Sequence, residues 1–282
     1  SKTYKAGEFT RARIVGVDAL NAIREKRLSV VLDPNGGSAT RYLTDFVETF
    51  GLTAETINGT LGHFERLIEP KPDVLTAVSA KVDALQADAG FAFDCDADRV
   101  ELVISSTSAY AKKKSPMIDG QYILALLVDE VLATHADPAQ ETVVVNDATS
   151  NVVHDIAKRY GATIEEVEVG EINVVEGMEK KNSPVGGEGS SSGGIFPPSK
   201  CRDGILTMAM ILRSTVRQNK NLSDILLTLP AYTTLRDKLQ CDGDKQQEVR
   251  QKIEATFRTQ GFTIQTTGDA TGGLKIIPKT GV

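Results

Sequence analysis

The chain has 282 residues and a formal net charge of -6 with no basic stripe, which argues against a nucleic-acid partner, because phosphate backbones are held by clustered Lys and Arg. Its length suits two domains burying roughly three quarters of the surface the unfolded chain exposes, and no run of about eighteen apolar residues or leader-like start supports a membrane span, so a globular protein of the cytoplasm is expected. Cys95, Cys201 and Cys241 are odd in number, far apart and without CxxC spacing, which disfavours a disulfide framework or a structural zinc site.

Along the chain, "LSVVLD" (28–33) reads as a buried strand, "PNGG" as a turn, "SATRYLTDFVETFG" as an amphipathic helix closed by Gly51 and "LTAETIN" as the next strand. The pattern returns: the strand "ETVVVN" (141–146), a turn at Asp147, the helix "TSNVVHDIAKRYG" ending at Gly161 and the strand "ATIEEVEV". Strands alternating with helices in two copies imply right-handed crossovers and mostly parallel sheets. The expected fold class is α/β: two repeated α/β domains with mixed, mostly parallel sheets at 1–116 and 117–226, the helices "GQYILALLVDEVLATH" and "DGILTMAMILRSTVRQNK" packing on the second. A partial C-terminal α+β unit at 227–282 is built from the helix "DKQQEVRQKIEATFRTQG" and the strands "FTIQTT" and "LKIIPK". Lys112 to Lys114 read as a solvated loop.

Each copy ends in a distinctive loop. In "GFAFDCDADRVEL" (90–102), Asp94, Asp96 and Asp98 occupy alternate positions and point one way in an extended or gently turning backbone. Two carboxylates about 4 Å apart repel by roughly 4 kcal/mol at an effective dielectric of about 20, a cost that a divalent cation removes. An EF-hand wants Gly where Arg99 stands, Glu where Ser105 stands and flanking helices, so it fails; the hard oxygen set suits Mg2+, and a solvated acidic turn is the plain alternative. Arg99 suits a phosphate, or else a salt bridge to a neighbouring aspartate. In "GGEGSSSGG" (186–194) the glycines allow close backbone approach, while Glu188 and the serines suit a polyhydroxylated ligand, with a flexible loop as the alternative; no Walker pattern is present. The two loops are expected to face one cleft, as strand-end loops do in open α/β sheets. "DPNGG" (33–37) reads as a structural turn, Asp203 as a helix N-cap, and His63, His135 and His154 as isolated structural or surface residues.

Taken together, these residues resemble the α-D-phosphohexomutase family. "DCDADR" (94–99) is similar to the family's Asp-x-Asp-x-Asp-Arg metal loop. "GHFERLIEPKPDVL" (62–75) resembles the Pro-Glu-Pro-x-Pro segment ahead of it, with Ile68 where proline is common. "EVGEINVVEGM" (168–178) and "GGEGSSSGGIFPPSKCRDGI" (186–205) resemble the sugar-selecting loops of the third domain. The resemblance implies a four-domain mutase that moves a phosphoryl group between hexose positions 1 and 6 through a phosphoserine and a hexose 1,6-bisphosphate, with hexose phosphate as substrate. It also implies that Asp94, Asp96 and Asp98 hold Mg2+, that Arg99 contacts the phosphoryl group, and that Gly170, Glu188, Ser190 and Ser192 bind the sugar. Neither the family's Ser-His-Asn-Pro loop nor its Arg-x-Ser-Gly-Thr-Glu loop is found, and Asn146 and Asp147 offer no Lys where some relatives have one. The expectation is therefore a piece covering domains two, three and the start of four, inactive without the missing domains of the same enzyme. A non-catalytic sugar-phosphate-binding module is the alternative, and a phosphatase with Asp94 as nucleophile is opposed by the third aspartate and Arg99.

Overall fold

The computed structural model describes residues 14–235, 237, 239–268 and 273–279. The first and last residues of the expected first and third units, and part of the "GDATGG" turn, lie outside them. Two sheets and a small C-terminal hairpin are built from strands β1 (Ser29–Asp33), β2 (Thr53–Thr56), β3 (Ala89–Phe93), β4 (Val100–Val103), β5 (Met117–Ile118), β6 (Thr142–Asn146), β7 (Thr163–Val167), β8 (Gly186–Gly187), β9 (Gly194–Ile195), β10 (Thr263–Thr266) and β11 (Leu274–Ile277). The helices are α1 (Val17–Lys26), α2 (Leu43–Phe50), α3 (Thr76–Leu85), α4 (Gly120–Thr134), α5 (Asn151–Arg159), α6 (Glu171–Lys181), α7 (Gly204–Gln218), α8 (Leu222–Leu227) and α9 (Gln246–Thr259).

The first sheet has the order β2-β1-β3-β4-β5 and the second β7-β6-β8-β9. In each, the central strand pairs parallel with two neighbours (β1 with β2 and β3, β6 with β7 and β8), and the third strand turns back antiparallel (β3 to β4, β8 to β9). The fold is thus α/β with mixed, mostly parallel sheets. The repeat is longer than the β-helix-β pattern in the sequence. It runs helix, strand, helix, strand, helix, strand, loop, strand in both copies: α1 to β4, then α4 to β9.

Local chemistry explains the element ends. Gly51 closes α2 in the left-handed region at φ 61°, where its N–H reaches back to the last carbonyls. Gly161, at φ 74°, follows the end of α5 in the same way. Asp119, Ser150 and Asp203 cap α4, α5 and α7, each side chain accepting from a backbone N–H of the first turn. The segment 38–50, expected as one helix, is split: Ser38 to Arg41 form a single 3-10 turn, and Tyr42 at φ -117° interrupts the path into α2. The Ser38 N–H donates to the Cys95 carbonyl at 2.8 Å, so this first turn is fixed to the aspartate loop instead of to α2. Residues 171–178, read as part of a sugar loop, are the first turns of α6, and only 168–170 are loop.

One hydrophobic core runs through both copies. It joins Leu32, Phe91, Phe93 and Leu102 of the first sheet to Ile123, Leu127, Val143 and Val145 of the second copy by way of Ile205, Leu206 and Met208 on α7. Beneath it, Glu130 on α4 is fully buried between Arg213 (Nε 3.1 Å) and Arg217 (Nε 2.6 Å) of α7. Removing one partner of such a pair is costly, so it fixes the packing of these two helices. The C-terminal unit is different: α9 and the antiparallel β10–β11 hairpin have no buried residue among those described. Its ties to the second sheet are polar, Thr267 donating to Asp147 and Lys275 pairing with Glu166.

Candidate active site

The aspartate loop leaves β3, a strand buried along its whole length. Asp94 is buried, Asp96 exposed and Asp98 half-buried, and one oxygen from each lies within 4.8 Å of the others. Ala97 makes the turn at φ 64°, a left-handed conformation that costs an L-residue roughly 1–2 kcal/mol. The loop is supported from behind: the Gly204 N–H at the start of α7 donates to the Ala97 carbonyl at 3.1 Å. Burial first, and then the facing Asp98 carboxyl, push the Asp94 acid up from the ordinary aspartate range, with Arg99 pulling it down. Crowded acids of this kind favour a cation between them, and three hard oxygen donors on one compact loop are a set that suits magnesium.

Arg99 closes the loop from its own end. Its Nε lies 2.6 Å from Asp94 Oδ2 and 3.6 Å from Asp98 Oδ1, and Nη1 lies 3.2 Å from Glu69 Oε1. Of the two sequence readings for Arg99, this arrangement displays the salt bridge, with the guanidinium still partly exposed at the cleft wall. Behind the loop, Arg66 pairs with Asp33 at 2.7 Å and donates to the Phe93 carbonyl at 2.7 Å, which fixes the residue before Asp94.

The glycine-serine loop occupies the corresponding place in the second copy, between β8 and β9. Glu188 is buried, its Oε1 accepting from Asn146 Nδ2 and from the Gly170 N–H, both at 2.9 Å. Gly170 therefore serves Glu188 through its backbone, at φ 132°, immediately before α6. Ser190 is exposed at the loop tip, while Ser192 is buried and donates to Glu101 Oε1 of β4 at 2.5 Å. Gly193, at φ 132°, lies so close to the aspartate loop that a Cβ there would be 2.7 Å from the Asp98 carbonyl.

Arg99 at the end of the aspartate loop and Ser190 to Ser192 of the glycine-serine loop share a cleft of about 400 Å³, walled also by Glu69, Lys71 and Asp119; the three aspartates and Glu188 lie outside its lining. In the surrounding network Asn146, Arg202 with its partner Glu171, and Glu101, the partner of Ser192, have no role legible in the sequence. Asn146 anchors Glu188. Arg202, whose Nη2 lies 2.6 Å from Asp98 Oδ2, also donates to Ser191. The Arg-Asp-Gly triplet at 202–204 was a visible signal, but its aspartate was readable as a cap and its arginine had no local partner. The histidines stand apart from the cleft lining, each beside a glutamate: Glu65, Glu141 and Glu166.

A paired α/β repeat that carries an aspartate loop and a glycine-serine loop at matching strand ends defines a class of fold, and the comparisons place it in a family. The family model for phosphoglucomutase/phosphomannomutase alpha/beta/alpha domain II matches residues 8–107, and that for domain III matches residues 119–232. The chain belongs to the α-D-phosphohexomutase family. It is 32% identical over 92% of its length to a phosphoglucomutase/phosphomannomutase of Thermococcus kodakarensis, covering 54% of that protein. Among solved structures it is similar to a phosphoglucomutase/phosphomannomutase family protein of Burkholderia thailandensis, with TM-score 0.72, 21% identity and coverage of 94% of this chain and 56% of that one. It also resembles Aspergillus fumigatus N-acetylphosphoglucosamine mutase in complex with GlcNAc-6P and magnesium, with TM-score 0.55, 14% identity and coverage of 91% and 59%. The chain thus spans about half the length of the relatives it matches. Among the described residues no helix is long and apolar enough to cross a membrane.

Proposed function

We propose that this chain carries the metal-binding and sugar-binding parts of a phosphohexomutase that interconverts hexose 1-phosphate and 6-phosphate through a hexose 1,6-bisphosphate. In this reading residues 1–116 are the metal-binding domain, 117–226 the sugar-binding domain and 227–282 the opening of a further domain. The carrying observation is the clustering of Asp94, Asp96 and Asp98 on one loop whose following residue, Arg99, shares a cleft with Ser190 to Ser192 of the glycine-serine loop. The Aspergillus relative, a mutase solved with a sugar phosphate and magnesium, supports the same ligand classes here.

Asp94, Asp96 and Asp98 would hold Mg2+, which when bound supplies positive charge for a phosphoryl group in transfer. Arg99 stands at the cleft wall beside them; a guanidinium there matches the planar face of a phosphoryl group and balances its charge. Glu188, held through Oε1 by Asn146 and Gly170, would offer Oε2, and Ser190 its hydroxyl, to sugar oxygens. The buried Ser192 donates to Glu101 and so serves the shape of the loop, while Ser190, exposed at the loop tip and on the cleft wall, would meet the sugar. Positioning and charge balance are the main work of phosphoryl transfer, and both are provided by this cleft. The reactive phosphoserine would come from a part of the enzyme outside this chain, in keeping with relatives about twice as long.

Magnesium titration of the intact chain by calorimetry, beside Asp96→Asn, tests the metal assignment. Asp96 is exposed, so its loss leaves the fold intact, and affinity should fall by more than about 100-fold. Equal affinity in the two proteins removes the assignment. Steady mutase turnover by the 282-residue chain alone would overturn the division of labour.

A further inference from the structure

The junction between the two copies is held at one point by a single guanidinium. Arg202 is mostly buried, with 14% of its side chain exposed, and it touches three separate segments. Nη2 lies 2.6 Å from Asp98 Oδ2 of the aspartate loop, across 104 residues of sequence. Nη1 donates to the Ser191 hydroxyl and lies 3.8 Å from Glu188 Oε2. Nε lies 2.7 Å from Glu171 Oε2 at the start of α6, without an aligned hydrogen bond of its own, while the Arg202 backbone N–H donates to Glu171 Oε1 at 3.3 Å.

One cation is therefore shared by three carboxylates, Asp98, Glu171 and Glu188, and their demands on it are linked. A divalent ion on Asp98 draws that carboxylate's charge toward itself and weakens its hold on Nη2; the guanidinium is then drawn more strongly to Glu188, Ser191 and Glu171. Groups that orient a metal-binding carboxylate tune affinity as well as geometry. Because Arg is planar and forked, it can satisfy several such partners together, which the single ammonium of Lys cannot. We propose that Arg202 is a positioning residue that couples cation occupancy of the aspartate loop to the conformation of the loop 188–194. This rests on the metal-binding reading above and adds to it a link between the two half-sites. The coupling is reciprocal, so a ligand that fixes the 188–194 loop must change metal affinity by the same factor.

Hydrogen exchange of the intact chain, with and without saturating Mg2+ and with affinity measured in parallel, tests the link in wild type, Arg202→Met, Arg202→Lys and Ser191→Ala. In wild type, Mg2+ should change the protection of amides in 188–194. In Arg202→Met, which removes a cation competing with Mg2+ for Asp98, Mg2+ should bind at least as tightly as in wild type, and at saturation the response of 188–194 should vanish. Arg202→Lys should keep part of the response and Ser191→Ala should diminish it, both with little change in fold. Mg2+ binding to wild type with an unchanged 188–194 segment, or an equal response in a folded Arg202→Met or Arg202→Lys, overturns the coupling alone. Failure of wild type to bind Mg2+ overturns the metal reading and the coupling with it.

Discussion

The turn from β3 to β4 and the turn from β8 to β9 stand at the same point of the repeat, yet they are made of opposite materials. The first follows a five-residue strand buried throughout and carries three carboxylates and an arginine. The second joins two-residue strands and relies on glycines, with its one buried acid, Glu188, tied to Asn146 and Gly170. A stiff strand end can hold like charges close together, as an ion requires; a glycine-rich turn can bring backbone close to neighbouring backbone, as Gly193 does against Asp98. Both loops occupy the same place in the repeat, and their side chains give one charge and the other proximity.

That contrast can be broken at three places, in order of expected effect. Gly193→Ala puts a Cβ 2.7 Å from the Asp98 carbonyl at φ 132°, and strain with overpacking should cost about 2–4 kcal/mol. Chemical denaturation of the purified variant checks this, and a cost below about 1 kcal/mol would mean that the loops are not in tight contact. Ser192→Ala removes the hydroxyl that donates to Glu101 across the junction; the loss of a hydrogen bond to a charged group should lower stability by about 1.5 kcal/mol. Ala97→Gly sharpens the comparison from the other side. Relief of the left-handed turn is offset by loss of a buried methyl and a looser unfolded chain, so the two proteins should agree to within about 0.5 kcal/mol. A large destabilisation there would show that the aspartate loop depends on packing as much as the glycine loop does.

Much of the fold was legible because its signals are local. The β-branched runs at 28–33 and 141–146, the closing glycines 51 and 161 and the cap at Asp203 each act within a few residues. The aspartate triplet was legible for the same reason, since alternate spacing alone brings the carboxylates together. The strands Gly186–Gly187 and Gly194–Ile195 were hidden, because their pairing owes little to β-propensity and much to neighbours supplied by the rest of the sheet. The ties of Arg202 to Asp98, Ser192 to Glu101 and Asn146 to Glu188 span 104, 91 and 42 residues, and no periodicity in a sequence records contacts at such range. The start of α6 is obscured in another way, since 168–178 resembles a loop segment while its residues from Glu171 onward are helical.

The unbroken core bears on how an enzyme of this build would open and shut. Parting the two sheets as rigid lobes would return Ile205, Leu206, Met208 and their neighbours to water, at roughly 1.5–3 kcal/mol for each large side chain. Helix α9 and the β10–β11 hairpin, with polar ties and nothing buried among their described residues, meet no such resistance. Leu229 and Tyr232, just beyond α8, still pack on that core, so the two sheets act as one block and relative movement within this chain costs least at α9 and the hairpin.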